Sequence, residues 1–150
     1  MDDISFKHTI PLQLRTNDLD RFGHINNAVY FTFYDLGKTN YVETVCPDVD
    51  WEKEAIVVVQ INVNFISQIF GTDHIAVQTA ITSIGTKSFE LAQQVIDIDT
   101  QEVKCFCRSV MVTYDLALHK SKPLPDVWIK AICQYEGKDL AVSYTHLTLP

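Results

Sequence analysis

The chain has 150 residues, the size of a single domain, and 47% of them are hydrophobic, which is typical of a globular protein. Its formal net charge of −7 argues against a nucleic-acid-binding protein, because such a protein needs a basic face. No apolar run approaches the length that a membrane-spanning helix requires. We therefore expect neither a nucleic-acid partner nor a membrane partner.

The four cysteines indicate no disulfide framework and no metal site. Cys105 and Cys107 lie two residues apart in a strand-like run, where both would point to one face as small apolar side chains. A single C-x-C pair without matching histidines is not a zinc signature. The polar, acidic start of the chain is unlike a secretory leader. We expect a reduced, cytoplasmic protein that uses no cofactor.

The first predicted element is a strand over residues 6–15, in which Pro11 favours an edge position or a bulge. A polar loop follows, with turn and cap residues at Asp18, Asp20 and Asn26. Gly23 permits a backbone turn inside this loop. Asn26 or Asn27 is placed to cap a helix that begins near Ala28.

A helix is predicted up to Val45, although residues 29–34 are β-branched and aromatic and would favour a strand by propensity alone. Apolar residues recur at helical spacing and define a buried face: Tyr30, Phe33, Tyr34, Gly37, Tyr41 and Val45. The opposite face is polar and comprises Thr32, Asp35, Lys38, Thr39 and Glu43. Gly37 in mid-helix predicts a close approach to a sheet, and Pro47 predicts the end of the helix.

Four long strands are predicted after the helix, over residues 55–69, 74–84, 89–98 and 103–118, with a hairpin turn over residues 85–88. The first of these strands alternates from Gln60 onwards, whereas Val57, Val58 and Val59 form a continuous apolar run that predicts burial of both faces. Residues 123–135 show weak helical spacing through Val127, with Pro125 near the start.

This order of elements predicts an α+β fold in which an antiparallel sheet of about five strands curls around one long central helix. We assign residues 1–140 to this single domain. We interpret residues 141–150 as a terminal extension or a cloning or sequencing remnant. Long exposed sheet edges are a liability, so we expect a homodimer that pairs two edges into a continuous sheet.

The loop before the helix is the strongest candidate for a catalytic site. A helix N-terminus presents unpaired N–H groups and a partial positive charge, which can polarise a carbonyl oxygen. Asp20 lies a few residues upstream and would supply a carboxylate as general base or nucleophile. The alternative is that Asp20 only shapes the turn and that His24 is a solvated loop residue, because loops of this kind are rich in capping residues.

The loop resembles the signature of hotdog-fold acyl-CoA thioesterases of the hydroxybenzoyl-CoA thioesterase-like group. The matching positions are Asp20, Gly23, His24, Ile25, Asn26, Asn27 and Tyr30. Asp35 and Lys38 resemble the acidic and basic positions that the family usually has along its helix. The resemblance extends over roughly residues 6–118 and implies hydrolysis of a thioester to a carboxylic acid and coenzyme A by a homodimer or homotetramer.

The resemblance also implies roles for individual residues. Asp20 matches the catalytic carboxylate, the backbone N–H of Asn27 matches the group that polarises the thioester carbonyl, and His24 matches a loop position in the site. The matching substrate-binding positions are Gly23, Asn26 and Tyr30, with Lys87 and Ser88 of the hairpin turn near the coenzyme A portion. An acyl-acyl carrier protein thioesterase and a non-catalytic acyl-binding protein remain as alternatives. A hydratase or dehydratase on the same fold would need a histidine–acid pair, and the histidine–proline-rich signature expected of it is absent.

Overall fold

The protein is described by a computed structural model over residues 4–141. Its elements, in chain order, are β1 (His8–Leu12), a 3-10 turn (Thr16–Asp18), α1 (Asn27–Val45), β2 (Glu54–Phe65), β3 (Ile75–Ile84), β4 (Ser88–Asp97), β5 (Val103–Asp115), β6 (Lys120–Lys122) and α2 (Asp126–Glu136). The strands form one sheet in the order β1-β3-β4-β5-β2, and the short β6 extends it by pairing with β5. All neighbouring strands are antiparallel. The predicted α+β hotdog fold is confirmed.

The central helix α1 begins and packs as its sequence predicts. Asn26 is the N-cap, and its side-chain oxygen accepts a hydrogen bond from the N–H of Ala28. The buried residues of α1 are Tyr30, Phe33, Tyr34, Gly37, Tyr41, Val42 and Val45. A Cβ atom added to Gly37 would lie 2.9 Å from both Gln93 Nε2 and Thr79 Oγ1, which confirms the predicted close approach to the sheet.

The core divides into two clusters that distinguish the two ends of the sheet. Near the start of α1, Tyr30 and Phe33 pack with Val77, Val95 and Cys105 in what we call the N-terminal cluster. At the other end, the last turns of α1 pack with the end of β3, the start of β4 and helix α2 in the C-terminal cluster. The chain thus places the start of α1 and the β3–β4 hairpin at opposite ends of the sheet.

One prediction for β2 is wrong. Val57, Val58 and Val59 are not covered on both faces, because they are 41%, 47% and 58% exposed. The reason is that β2 is an edge strand, paired only with β5, and a register shift between Val58 and Gln60 bends it there. Beyond Gln60 the register with β5 is unbroken as far as Phe65, which places Ile61, Val63 and Phe65 on one face as predicted.

Helix α2 covers part of the sheet edge that lies opposite β2. Pro125 lies at its start as predicted, but Val127 is 60% exposed, and the buried residues are Trp128, Ile132 and Glu136. Glu136 Oε2 accepts hydrogen bonds from the Tyr41 hydroxyl at 2.6 Å and from the N–H of Ile81 at 3.2 Å. The short strand β1 pairs with β3 only as far as Thr79, so the Glu136 carboxylate accepts the hydrogen bond of an N–H group, that of Ile81, which β1 does not reach.

Leu140 is buried in the C-terminal cluster, while the assignment of residues 1–140 to one domain stays a prediction. Residues 142–150 of the predicted tail lie outside the described residues. Over residues 4–141, neither helix combines the length and the apolar character that crossing a bilayer would take.

Candidate active site

The loop between β1 and α1 folds back on itself as a small closed unit. Leu19 and Ile25 form an antiparallel bridge, and the N–H of Asn26 donates to the Asp18 carbonyl oxygen at 3.0 Å. At the tip, the N–H of Asp20 donates to the His24 carbonyl oxygen at 2.7 Å. Gly23 has a φ of 78°, a conformation that favours glycine, which confirms its predicted role in the turn. The loop therefore carries Asp20 at its tip and the start of α1 at its base.

The Asp20 carboxylate has one bound and one unbound oxygen. Its Oδ1 atom accepts hydrogen bonds from the N–H groups of Phe22 at 2.9 Å and His24 at 3.1 Å. Its Oδ2 atom makes no hydrogen bond with any residue from 4 to 141. Asp20 is half-buried. Two backbone donors thus fix the orientation of the carboxylate, and its second oxygen remains available to a water molecule or a substrate.

The first turn of α1 leaves one backbone donor unused. Asn26 accepts from Ala28 through its side-chain Oδ1 at 3.0 Å and from Val29 through its carbonyl oxygen at 2.9 Å. The N–H of Asn27 has no hydrogen-bond partner within the described part of the chain, and the residue is exposed. An exposed amide at a helix N-terminus lies at the positive end of the helix dipole, where it can bind an oxygen that carries negative charge.

Asp18 has a structural role, as its prediction as a turn residue requires. Its carboxylate is buried and accepts hydrogen bonds from the Arg15 backbone N–H and from Arg15 Nη2, both at 2.9 Å. The hydrogen bond with the Arg15 side chain lowers the pKa of Asp18 below its usual range. Asp18 thus ties down the start of the loop and is not free for chemistry.

His24 is directed toward an aromatic neighbour. Its ring packs edge-to-face on Phe70, with centroids 5.0 Å apart, and the two residues also form an antiparallel bridge. No hydrogen bond from its ring nitrogens to Asp20, or to another residue in the described range, accompanies this contact. Its position in the loop is as predicted, while a role in catalysis stays a prediction.

Tyr30 lines the interior below the loop. Its ring contacts Phe65 of β2 edge-to-face at 5.2 Å and Phe33 at 6.2 Å. Burial raises the pKa of Tyr30 to about 12, so its hydroxyl stays protonated at neutral pH. Through this pair of rings, the start of α1 contacts the exposed edge strand β2.

Lys87 and Ser88 are not brought to this loop within one chain. Lys87 lies in the turn between β3 and β4, and Ser88 is the first residue of β4; its carbonyl oxygen accepts a hydrogen bond from the N–H of Gly85 at 2.6 Å. That turn adjoins the C-terminal cluster, at the opposite end of the sheet from Asp20. In a single chain, these two predicted substrate-binding residues cannot share a site with Asp20.

Residues 66–74, between β2 and β3, pack against the loop. The sequence did not predict this contact. The N–H of Ile25 donates to the Ile69 carbonyl oxygen at 3.0 Å, and Phe70 packs on His24. Gly71 is so close to Leu19 that an added Cβ atom would lie 2.9 Å from its Cδ1. In the sequence, the Phe70-Gly71 pair is the one local signal of this contact, because a glycine often marks a close approach of two segments.

The sheet wrapped on α1 and the closed loop at its N-terminus define a hotdog protein with a candidate hydrolytic site. A model of the Thioesterase-like superfamily matches residues 14–132, and the chain belongs to this family.

Individual relatives share low sequence identity with the chain. The chain is 24% identical over 111 residues to a chloroplast acyl-acyl carrier protein thioesterase of Arabidopsis thaliana, covering 72% of this chain and 58% of that protein. The chain thus spans little more than half the length of this relative.

Solved structures share the fold. A thioesterase of Thermus thermophilus, complexed with coenzyme A and zinc, superposes with a TM-score of 0.78 at 25% identity, over 89% of this chain and 96% of that one. A 1,4-dihydroxy-2-naphthoyl-CoA thioesterase of Synechocystis gives a TM-score of 0.73 at 17% identity, over 84% and 95% of the two chains. The second likeness concerns the fold alone.

Proposed function

We propose that this protein is an acyl-CoA thioesterase that hydrolyses a thioester to a carboxylic acid and coenzyme A. The observation that carries the proposal is the unpartnered N–H of Asn27 at the start of α1, on the same closed loop as the Asp20 carboxylate, within the described residues 4–141. Family membership and the coenzyme A bound to the Thermus thermophilus thioesterase support the choice of substrate class.

In the proposed reaction, the thioester carbonyl oxygen accepts a hydrogen bond from the Asn27 N–H. This donor stabilises the negative charge that develops on the oxygen during attack. Asp20 either takes a proton from the attacking water or attacks the carbonyl carbon itself, and its Oδ2 atom has no competing hydrogen bond over residues 4–141. The carbon–sulfur bond then breaks, and the sulfur leaves as the thiolate of coenzyme A. When Asp20 itself attacks, the acyl group forms a mixed anhydride with its carboxylate, and water then hydrolyses this anhydride to release the carboxylic acid and restore Asp20.

A homodimer would complete the site. Strand β2 has an exposed, strongly apolar edge, and such an edge is stable only when another strand or element covers it. If two copies pair β2 with β2 in antiparallel fashion, the partner chain runs in the opposite direction. The partner's β3–β4 turn, with its Lys87 and Ser88, then lies at the same end of the joined sheet as Asp20. A homotetramer built from two such dimers fits the same arrangement.

The second candidate is an acyl-acyl carrier protein thioesterase, which the Arabidopsis thaliana relative favours. Both reactions use the same loop and differ only in the carrier of the acyl group. A non-catalytic protein would retain the fold and bind the acyl group without turnover.

The test is release of free thiol from acyl-CoA, followed with a thiol reagent, by wild type and by Asp20→Asn. We expect wild-type turnover and a large loss in Asp20→Asn with the fold retained by circular dichroism, because an amide is a poor base and nucleophile. The matched control is Asp48→Asn, an exposed carboxylate near the far end of α1, which should leave the rate unchanged. Full activity of a folded Asp20→Asn protein would remove Asp20 from the mechanism.

A further inference from the structure

Two exposed side chains at the tip of the loop, Arg21 and Phe22, have no role in the proposed chemistry. Phe22 is 72% exposed, and the Arg21 guanidinium carbon lies 5.7 Å from the centre of its ring. The tip does not move freely, because Asp20 Oδ1 binds the backbone N–H of Phe22 at 2.9 Å. The turn that orients the carboxylate therefore also holds an apolar ring and a cation in solvent.

Arg21 differs from the other basic side chains at this end of the sheet in its ion pairing. Arg15 is paired with Asp18, Lys104 with Glu102 and His74 with Asp99, each at 2.9 Å. Arg21 has no carboxylate partner anywhere in the described range of residues 4–141. It is thus the cation near Asp20 that remains available to an anionic ligand.

We propose that Arg21 and Phe22 bind the phosphopantetheine arm of the thioester substrate, with Arg21 on the phosphate and Phe22 against the arm itself. This inference rests on the proposed function. Phosphopantetheine is common to coenzyme A and to acyl carrier proteins, so it is the shared chemistry of both candidate substrates. A guanidinium forms strong charge-assisted hydrogen bonds to phosphate, and an exposed aromatic face covers the apolar part of the arm.

The direction of the substrate follows from burial. The apolar rings beside the loop, the buried Tyr30 and the half-exposed Phe65, suit the acyl group, whereas the tip of the loop faces solvent and suits the hydrophilic carrier. Asp20 is half-buried, whereas Arg21 and Phe22 are exposed at the same tip of the loop. In the proposed arrangement, the arm runs from a sulfur beside Asp20 outward over Phe22 to a phosphate at Arg21.

The proposed contact between Arg21 and the phosphate is a pair of opposite charges at an exposed position of the loop. Salt screens such exposed pairs. Binding should accordingly weaken as ionic strength rises.

The test compares three substrates with the same acyl group: acyl-CoA, acyl-phosphopantetheine and acyl-pantetheine, which lacks the phosphate. For wild type we expect kcat/KM to be about tenfold higher with either phosphorylated substrate, mainly through KM. Arg21→Gln should abolish this preference and leave hydrolysis of acyl-pantetheine unchanged. Lys130→Gln, an exposed lysine on α2, is the matched control and should keep the preference. Phe22→Ala should raise KM for all three substrates.

Several results would overturn the proposal: no phosphate preference in wild type, a preference that survives in Arg21→Gln, or a change of oligomeric state in Phe22→Ala, which would make Phe22 a subunit contact. Parallel assays with acyl-acyl carrier protein show which source of the arm is used. If wild type hydrolyses none of the thioesters, the proposed function fails. Calorimetric binding of coenzyme A and of pantetheine to wild type and Arg21→Gln then decides the Arg21 contact separately.

Discussion

Replacing Gly37 by alanine tests how tightly α1 is seated on the sheet that positions the candidate site. The new Cβ atom would lie 2.9 Å from Gln93 Nε2, 2.9 Å from Thr79 Oγ1 and 3.1 Å from Val77 Cγ1. Real Cβ atoms hardly ever approach another heavy atom within 3.0 Å. Either α1 must lift from the sheet or the side chains beneath it must shift.

Two effects of opposite sign determine the result. Alanine in a helix interior is favoured over glycine by about 1 kcal/mol. Overpacking a core costs about 1–3 kcal/mol. Moving Gln93 also breaks the hydrogen bonds from its Nε2 to the Tyr34 carbonyl oxygen at 2.9 Å and to Thr79 Oγ1 at 3.1 Å, which costs about another 1–3 kcal/mol for a buried donor. The net destabilisation is therefore about 1–5 kcal/mol.

Thermal and urea unfolding, followed by circular dichroism, measure this change directly. At about 2–4 °C per kcal/mol for a chain of this size, the midpoint should fall by several degrees or more. Thr32→Ala, at an exposed position on the same helix, is the control and should be neutral or slightly stabilising. A Gly37→Ala protein as stable as wild type would show that α1 does not need the close approach.

Three further changes test the loop, the edge and the composite site. Asp18→Asn should lower the free energy of unfolding by about 1.5–3 kcal/mol at pH 7. Because the pKa of Asp18 is lowered in the folded protein, the difference from wild type in urea titrations should shrink as the pH falls below the usual carboxyl range. A difference that stays constant with pH would contradict this reasoning. Val59→Lys, on the edge strand, should give a folded monomer by sedimentation, whereas a dimer would locate the interface elsewhere. Mixing inactive Asp20→Asn with a weakened Lys87→Glu protein should restore about a quarter of wild-type turnover through mixed dimers, and no gain would place both residues outside a shared site.

The features that the sequence predicted well are those set by local chemistry. The Asn26 cap, the positive φ of Gly23 and the end of α1 before Pro47 each depend on a few neighbouring residues. The buried face of α1 was also predictable, even against the β propensity of its first turns, because its apolar spacing fits only a helix packed on one side.

The features that the sequence did not predict depend on the order of strands. Val57–Val59 read as a fully covered strand, since an apolar run gives no sign of whether the strand lies at the centre or the edge of a sheet. Lys87 was placed near the site by resemblance, while the position of its turn at the far end follows from topology alone. The contact between Phe70 and His24 joins distant segments and has no local periodic signal.

The separation of Asp20 from Lys87 connects the fold to the proposed reaction. A strand of ten residues, such as β3, separates the two ends of the sheet, so one subunit alone can offer a carboxylate, a helix end and the loop tip but not the contact that the sequence predicts for Lys87. The same subunit exposes an apolar edge at β2, which favours antiparallel pairing with a second copy. In the proposed dimer, that pairing would reverse the partner and place its β3–β4 turn at the end of the joined sheet that carries Asp20. A single geometric property, the exposed edge of β2, would then govern both the stability of the assembly and the completeness of each site.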